Sequence, residues 1–312
     1  MVMLSRSRGA TERHRPREGQ IDPVQQQSDL EKQAFYEQMP PLPIPLDRGR
    51  VARQWMEAGA RVLDIGCGAG YHVRHFARKA ARVAALDVDR VSLRTARQRV
   101  RSSRVSFMHY DGRRLPFADA SFDTVTMLDV LEHVADRQSM IEEIARVLKP
   151  GGTWVVSVPY RGAVAWLSPE NMSQDYPRAF RWLSRWTRVR FWIRDHMACG
   201  MRHKHFSRSD LKQLASASFQ AERSARRGSL LYALAYLGLC FPPPLFGRLW
   251  ASACFALMAL DYQVAYGPCA YNLIMRFRRK AHSRFDWDPT EFSGSEEQMA
   301  SGRGATELEL AA

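Results

Sequence analysis

Nine residues constrain this chain more than any others: Val62-Leu63-Asp64-Ile65-Gly66-Cys67-Gly68-Ala69-Gly70. Arg61-Val62-Leu63, leading into them, is short, apolar and β-branched, the pattern of a buried strand. Tyr71 to Arg78, following them, has helical spacing, which predicts that the glycines form a strand-to-helix turn. Glycine suits such a turn because positive φ costs it little and no side chain blocks a ligand from the backbone. The predicted helix would offer its first N–H groups and the positive end of its dipole to an anionic group.

A Gly-x-Gly-x-Gly run by itself also occurs in structural turns. Here the next apolar run, Arg82-Val83-Ala84-Ala85-Leu86, ends in Asp87, about 20 residues on, where a carboxylate can accept both hydroxyls of a ribose. A solvated strand end is the plainer alternative. The third glycine comes one residue earlier than in the dinucleotide-binding Gly-x-Gly-x-x-Gly pattern, and Asp64 precedes the first glycine.

Further strands and helices follow in alternation. A helix is expected from about Val91 to Val100, with Leu93, Ala96 and Val100 inward and Arg94, Arg97, Arg99 and Arg101 outward. Val105 to Tyr110 alternates like a strand and ends at Asp111-Gly112, a pair that also suits a turn. Phe122 to Leu128 reads as the fourth strand, which puts Leu128 and Asp129 at the mouth of any pocket above the sheet. A helix from Ser139 to Val147 then stops at Leu148-Lys149-Pro150-Gly151-Gly152, and Thr153 to Pro159 reads as the fifth strand.

Taken together, Asp64 to Gly70, Asp87, Asp111-Gly112, Phe122-Asp123-Thr124-Val125 and Leu148 to Gly152 resemble class I S-adenosylmethionine-dependent methyltransferases. The specific motifs run from about Arg50 to Tyr160, and the likeness continues more loosely to Lys280. The resemblance implies an α/β fold, a doubly wound, Rossmann-like, seven-stranded, mostly parallel sheet. It implies S-adenosylmethionine as cofactor, held by Asp64, Gly66, Cys67, Gly68, Gly70, Asp87, Asp111, Gly112, Leu128 and Asp129, with Asp111 bonding the adenine amino group.

Methyl transfer from a sulfonium needs alignment and, for a hydroxyl acceptor, removal of a proton. The expected catalytic pair is His133, a neutral base near pH 7, with Glu132 beside it. Asp129, Glu132 and His133 stand at i, i+3 and i+4, so on a helical turn their side chains would converge. With His203 or His205 they could form a divalent-metal site, a lesser alternative to a metal-free site. Ubiquinone-biosynthesis O-methyltransferases and small-RNA 2′-O-methyltransferases carry a similar acid-x-x-Glu-His run, although Asp129 here replaces their usual glutamate.

The rest of the chain bears on the acceptor. Residues 1–28 and 281–312 are expected to be disordered tails, the first basic, around a methyltransferase domain at 29–280. Pro40 to Pro45 favours an extended strap. A substrate-side insertion is expected at about 160–210. There Trp182, Trp186, Val189 and Ile193 share a helical face and Arg181, Arg185 and Arg188 another, suiting either a membrane-surface helix or a packed lid. Leu230–Phe241 and Leu249–Leu260, split by Pro242-Pro243-Pro244, are expected to make an apolar helical hairpin within about 229–262, suited either to lying on or dipping into a bilayer or to burial against the domain or a second subunit. Each half is about a dozen residues, too short to span a bilayer.

Net charge of +14 favours an anionic partner, lipid headgroups or nucleic acid. Five cysteines without a C-x-x-C pair argue against a disulfide or zinc framework and fit a reducing cytosol. The start carries no apolar run of signal-peptide type. The expectation is therefore a cytoplasmic enzyme, peripheral at the inner face of the membrane, that methylates a small-molecule or lipid-linked acceptor at oxygen. A homodimer is an open alternative to membrane contact. An RNA 2′-O-methyltransferase and a non-catalytic cofactor-binding relative are the competing functions.

Overall fold

The computed structural model describes residues 48–167, 204–229 and 247–281 continuously, with residues 29, 30, 32, 33, 171, 175–178, 231, 234 and 235 besides. The tails, the proline strap, the Trp/Arg helix and most of the first half of the hairpin lie outside the described residues. The elements are α1 (Arg48–Trp55), β1 (Arg61–Ile65), α2 (Val73–Phe76), β2 (Arg82–Asp87), α3 (Arg90–Arg99), β3 (Val105–His109) and β4 (Phe122–Leu128). Then come α4 (Arg137–Val147), β5 (Leu148–Pro159), α5 (Arg208–Ala215), β6 (Phe219–Arg227), α6 (Gly247–Asp261) and β7 (Asn272–Arg279).

The strands make one seven-stranded sheet in the order β3-β2-β1-β4-β5-β7-β6. β1 to β5 run parallel, and β7 lies antiparallel between β5 and β6. Period-two alternation divides the apolar residues between two cores. Leu63, Ile65, Met127 and Trp154 face α4 and α5, while Val62, Val83, Ala85 and Val155 face α1, α2, α3 and α6. At the centre of the first core Trp154, fully buried, stacks on Phe277 at 5.1 Å and leans on Phe219 at 5.2 Å.

Capping fixes where the helices begin. Asp89 accepts from the amides of Val91 and Ser92 at the start of α3, and Asp136 accepts from Ser139 at the start of α4. Ser207 and Asp210 form a reciprocal capping box on α5.

Two elements differ from the sequence expectation. The helix expected over Tyr71–Arg78 is only the single turn α2, because the chain must rejoin the sheet at Arg82. Gly59 and Ala81 are already tied to Lys79 and Ala60, closing that path. So short a helix adds little dipole, and the anion-binding argument drawn from it does not carry over. The fifth strand starts at Leu148 and not at Thr153. Leu148 pairs with Phe122, the pairing breaks over the proline and glycines, and it resumes at Thr153 opposite Thr124.

Candidate active site

Chain order reverses around β1. The chain leaves β1 for β2 and β3 on one side, then returns to β4 on the other. In open α/β sheets ligands bind beyond the carboxyl ends of the strands at such a reversal. The glycine turn sits there, stitched to its neighbour strand. The amides of Gly66 and Cys67 both donate to the Leu86 carbonyl, at 2.8 and 2.9 Å.

Two glycines in the turn have different reasons to be glycine. Gly66 has φ +72°, and a Cβ there would lie 2.2 Å from Val130 Cγ2, so the loop after β4 fills that space. Gly68 has φ +52°, and a Cβ there would meet no heavy atom within 4 Å. The first glycine closes the fold against itself. The second leaves backbone open to a ligand.

The carboxylates around the turn are held by short-range geometry. Asp87 accepts from the Gly68 amide at 2.7 Å and from the Asp89 amide at 2.8 Å. Burial raises its pKa, partly offset by those two amides. Asp64 is buried and accepts from the Thr126 hydroxyl at 2.6 Å. Burial pushes its carboxyl up to about 7, against the opposing Thr126 hydrogen bond and with help from the nearby Asp87 charge. Cys67 is buried beside these acids, and burial raises its thiol so far that it remains protonated.

Beyond β3, Asp111 is exposed and accepts from the Arg113 amide at 3.0 Å, while Gly112 has φ +80°. Tyr110 beside it is buried, its phenol pushed up to about 12 by burial and then by the charges of Asp87 and Asp111. Leu128 is buried at the end of β4.

Asp129 departs from the expected helical turn. It has φ +54° and precedes a single 3₁₀ turn, Leu131–His133. Its carboxylate pairs with Arg48 at 2.8 Å and accepts from the Ser157 hydroxyl at 2.6 Å. Its amide donates to the Ser157 carbonyl at 3.0 Å. The α-helical turn expected to carry Asp129, Glu132 and His133 at i, i+3 and i+4 is therefore absent, since a left-handed residue breaks its path. Glu132 is buried and His133 half-buried on the 3₁₀ turn. Arg137 braces that turn by donating to the carbonyls of Leu131 and Glu132. Among the described residues no group of three or more His, Cys, Asp or Glu is arranged to hold a metal ion; His203 lies outside them.

Sequence reading missed Arg48, Thr126, Ser157 and Lys32, the last paired with Asp89 at 2.8 Å on the rim beside Asp87. Thr126 and Ser157 left a faint trace as buried hydroxyls in otherwise apolar strands. The two cations left none, because their partners lie far along the chain.

Residues 63–156 match the family model described as a methyltransferase domain. That stretch is similar to class I S-adenosylmethionine-dependent methyltransferases. The chain is 43% identical over 107 residues to Methyltransferase GfsG of Streptomyces halstedii, covering 33% of this chain and 38% of that one. It is 38% identical over 112 residues to the ubiquinone biosynthesis O-methyltransferase of Pectobacterium atrosepticum, covering 35% and 46%. The chain thus spans less than half the length of these curated relatives. The domain's architecture also resembles a chain of the solved complex between the Haloferax volcanii Trm112 methyltransferase activator and a methyltransferase. That likeness has a TM-score of 0.50 at 20% identity, over 82% of this chain and 96% of the other.

Proposed function

We propose that this protein transfers a methyl group from S-adenosylmethionine to a small-molecule or lipid-linked acceptor, at oxygen. The observation that carries the reading is the open backbone at Gly68 beside the buried carboxylate of Asp87. A carboxylate has about four acceptor sites, and two backbone amides occupy two of them in Asp87, so the remainder suit the paired hydroxyls of a ribose. Asp111 and Gly112, with Tyr110, take the adenine end. Asp64, Gly66, Cys67, Gly68 and Gly70 take the amino-acid end, and Leu128 and Asp129 border the methyl group.

When bound, the cofactor supplies an electrophilic methyl on a sulfonium leaving group, so the protein needs no covalent nucleophile. Asp64 and Asp87 meet its positive charge. His133, half-buried on the 3₁₀ turn after β4, takes the acceptor's proton on its imidazole, and Glu132 positions that turn. A small-molecule acceptor draws support from the Pectobacterium relative, named for ubiquinone biosynthesis. A lipid-linked acceptor would place the protein peripherally at the inner face of a membrane.

Calorimetry with S-adenosylhomocysteine tests the first half of the reading. Micromolar binding that is lost in Gly68→Val is expected; no binding by the intact chain would overturn it. Incubation with labelled S-adenosylmethionine and a lipid extract tests the acceptor, with label in the organic phase as the expected result. Label appearing instead in added RNA would favour the nucleic-acid alternative.

A further inference from the structure

We propose that the outward face of α6 docks on an anionic lipid bilayer. From Leu249 to Leu260 the helix carries no charged residue. Its inward side, Cys254, Met258 and then Tyr262, is buried in the core beside α1 and α2. Its outward side remains apolar: Leu249 is 72% exposed and Leu260 68%, with Trp250 and Leu257 exposed between them. Val264 continues this face beyond the helix end. An apolar stripe of this kind in contact with water marks an interaction surface.

The rim of the face indicates what covers it. Gln263, one turn past Leu260, accepts from Arg50 through its side chain and from Arg227 through its carbonyl at 2.6 Å. Neither guanidinium pairs with a carboxylate among the described residues. An apolar face with cations at its edge complements acyl chains beneath a layer of phosphates. A second copy of this chain would instead bring like charges towards the same rim, on top of a net charge of +14. Among the described residues no helix is long and apolar enough to cross a membrane, so α6 lies in the interface plane.

The face is mounted rigidly on the domain. At the end of α6 the buried Asp261 accepts from the Ser229 amide at 2.6 Å, the Ser229 hydroxyl at 2.7 Å and the Tyr266 hydroxyl at 2.5 Å. The core under α6 also contains Cys67 and Leu128 from the candidate active site. Docking through α6 would thus fix how that site is presented to the bilayer. The docking rests on this geometry; only its purpose, access to a lipid-linked acceptor, rests on the methyl-transfer reading.

The test is flotation of the full chain with vesicles of phosphatidylcholine, with and without phosphatidylglycerol. The chain should float with the anionic vesicles and lose binding as salt rises. Leu257→Asp with Leu260→Asp should weaken binding about ten-fold or more. Arg50→Ala and Arg227→Ala should each weaken it about five-fold, on anionic vesicles only. Affinity for S-adenosylhomocysteine should be unchanged in all of these variants, which also reports that they fold. Absence of flotation with anionic vesicles, or binding indifferent to the leucine pair, overturns the proposal. A dimer that Leu260→Asp dissociates would make the face a subunit contact instead. Vesicle binding without S-adenosylhomocysteine binding would leave the docking standing and remove the methyl-transfer reading.

Discussion

The turn after β1 and the outer face of α6 both leave the molecule incomplete, in opposite ways. At the turn, open backbone lies between buried carboxylates, so what it lacks is a polar, cationic ligand. On α6, leucines and a tryptophan stand in water, so what it lacks is an apolar surface. The first is built by local spacing within about 25 residues and a few backbone hydrogen bonds. The second is built by a helix clamped to distant strands. Damage to one should therefore leave the other working, and only damage to the shared core should impair both.

The largest effect is expected at that shared core. Phe76→Ala removes a fully buried ring from the core that holds Cys67 and Leu128 together with Cys254 and Met258 of α6 and should cost about 3–5 kcal/mol of stability. Urea unfolding measures it. A loss below about 1 kcal/mol would mean that the two regions are not joined through this core.

Next comes Asp87→Ala. Two charged hydrogen bonds to a ribose, each worth about 1.5–3 kcal/mol, should leave S-adenosylhomocysteine binding at least about a hundred-fold weaker. Vesicle binding should not change. Near-normal affinity in that variant would show that the ribose contact is misassigned.

Asp261→Ala acts on the other region. Ser229 and Tyr266 would lose a buried acceptor, at a cost of about 1–3 kcal/mol. Faster amide exchange in α6 than around β1 is the expected signature. Uniform acceleration across the sheet would contradict independence.

The mildest effect concerns pH. Burial raises Asp64 to about 7 from an ordinary 3.8, so the folded chain retains that proton where the unfolded chain has lost it. The stability tied to this proton is fully present below the ordinary value and is lost as pH rises from there through about 7. A cationic cofactor favours the carboxylate, so its affinity should rise as pH passes upward through 7. Asp64→Asn should flatten both profiles. A wild-type affinity that does not change between pH 6 and 8 would remove Asp64 from the ligand's reach.

The strand-turn-strand half was legible because its determinants are close in sequence. Val62, Leu63 and Ile65 show the strand, Gly66 to Gly70 the turn, and Asp87 the end of the next strand. α2 was overestimated because periodicity does not know when the chain must return to the sheet. Asp129 was misread for a related reason. Spacing placed it on a helix, but contacts with Arg48, 81 positions earlier, and Ser157, 28 positions later, hold it in the left-handed region.

By itself the sequence determined the order of strands and helices, the glycine turn and its acidic neighbours, since these follow from local sterics and from alternation of apolar residues. Only the tertiary structure decided that β7 inserts antiparallel between β5 and β6, that Asp129 is tied down by Arg48 and Ser157, and which side of α6 remains in water. Those outcomes depend on which distant surfaces meet, and burial and long-range hydrogen bonds settle that after the chain has folded back on itself.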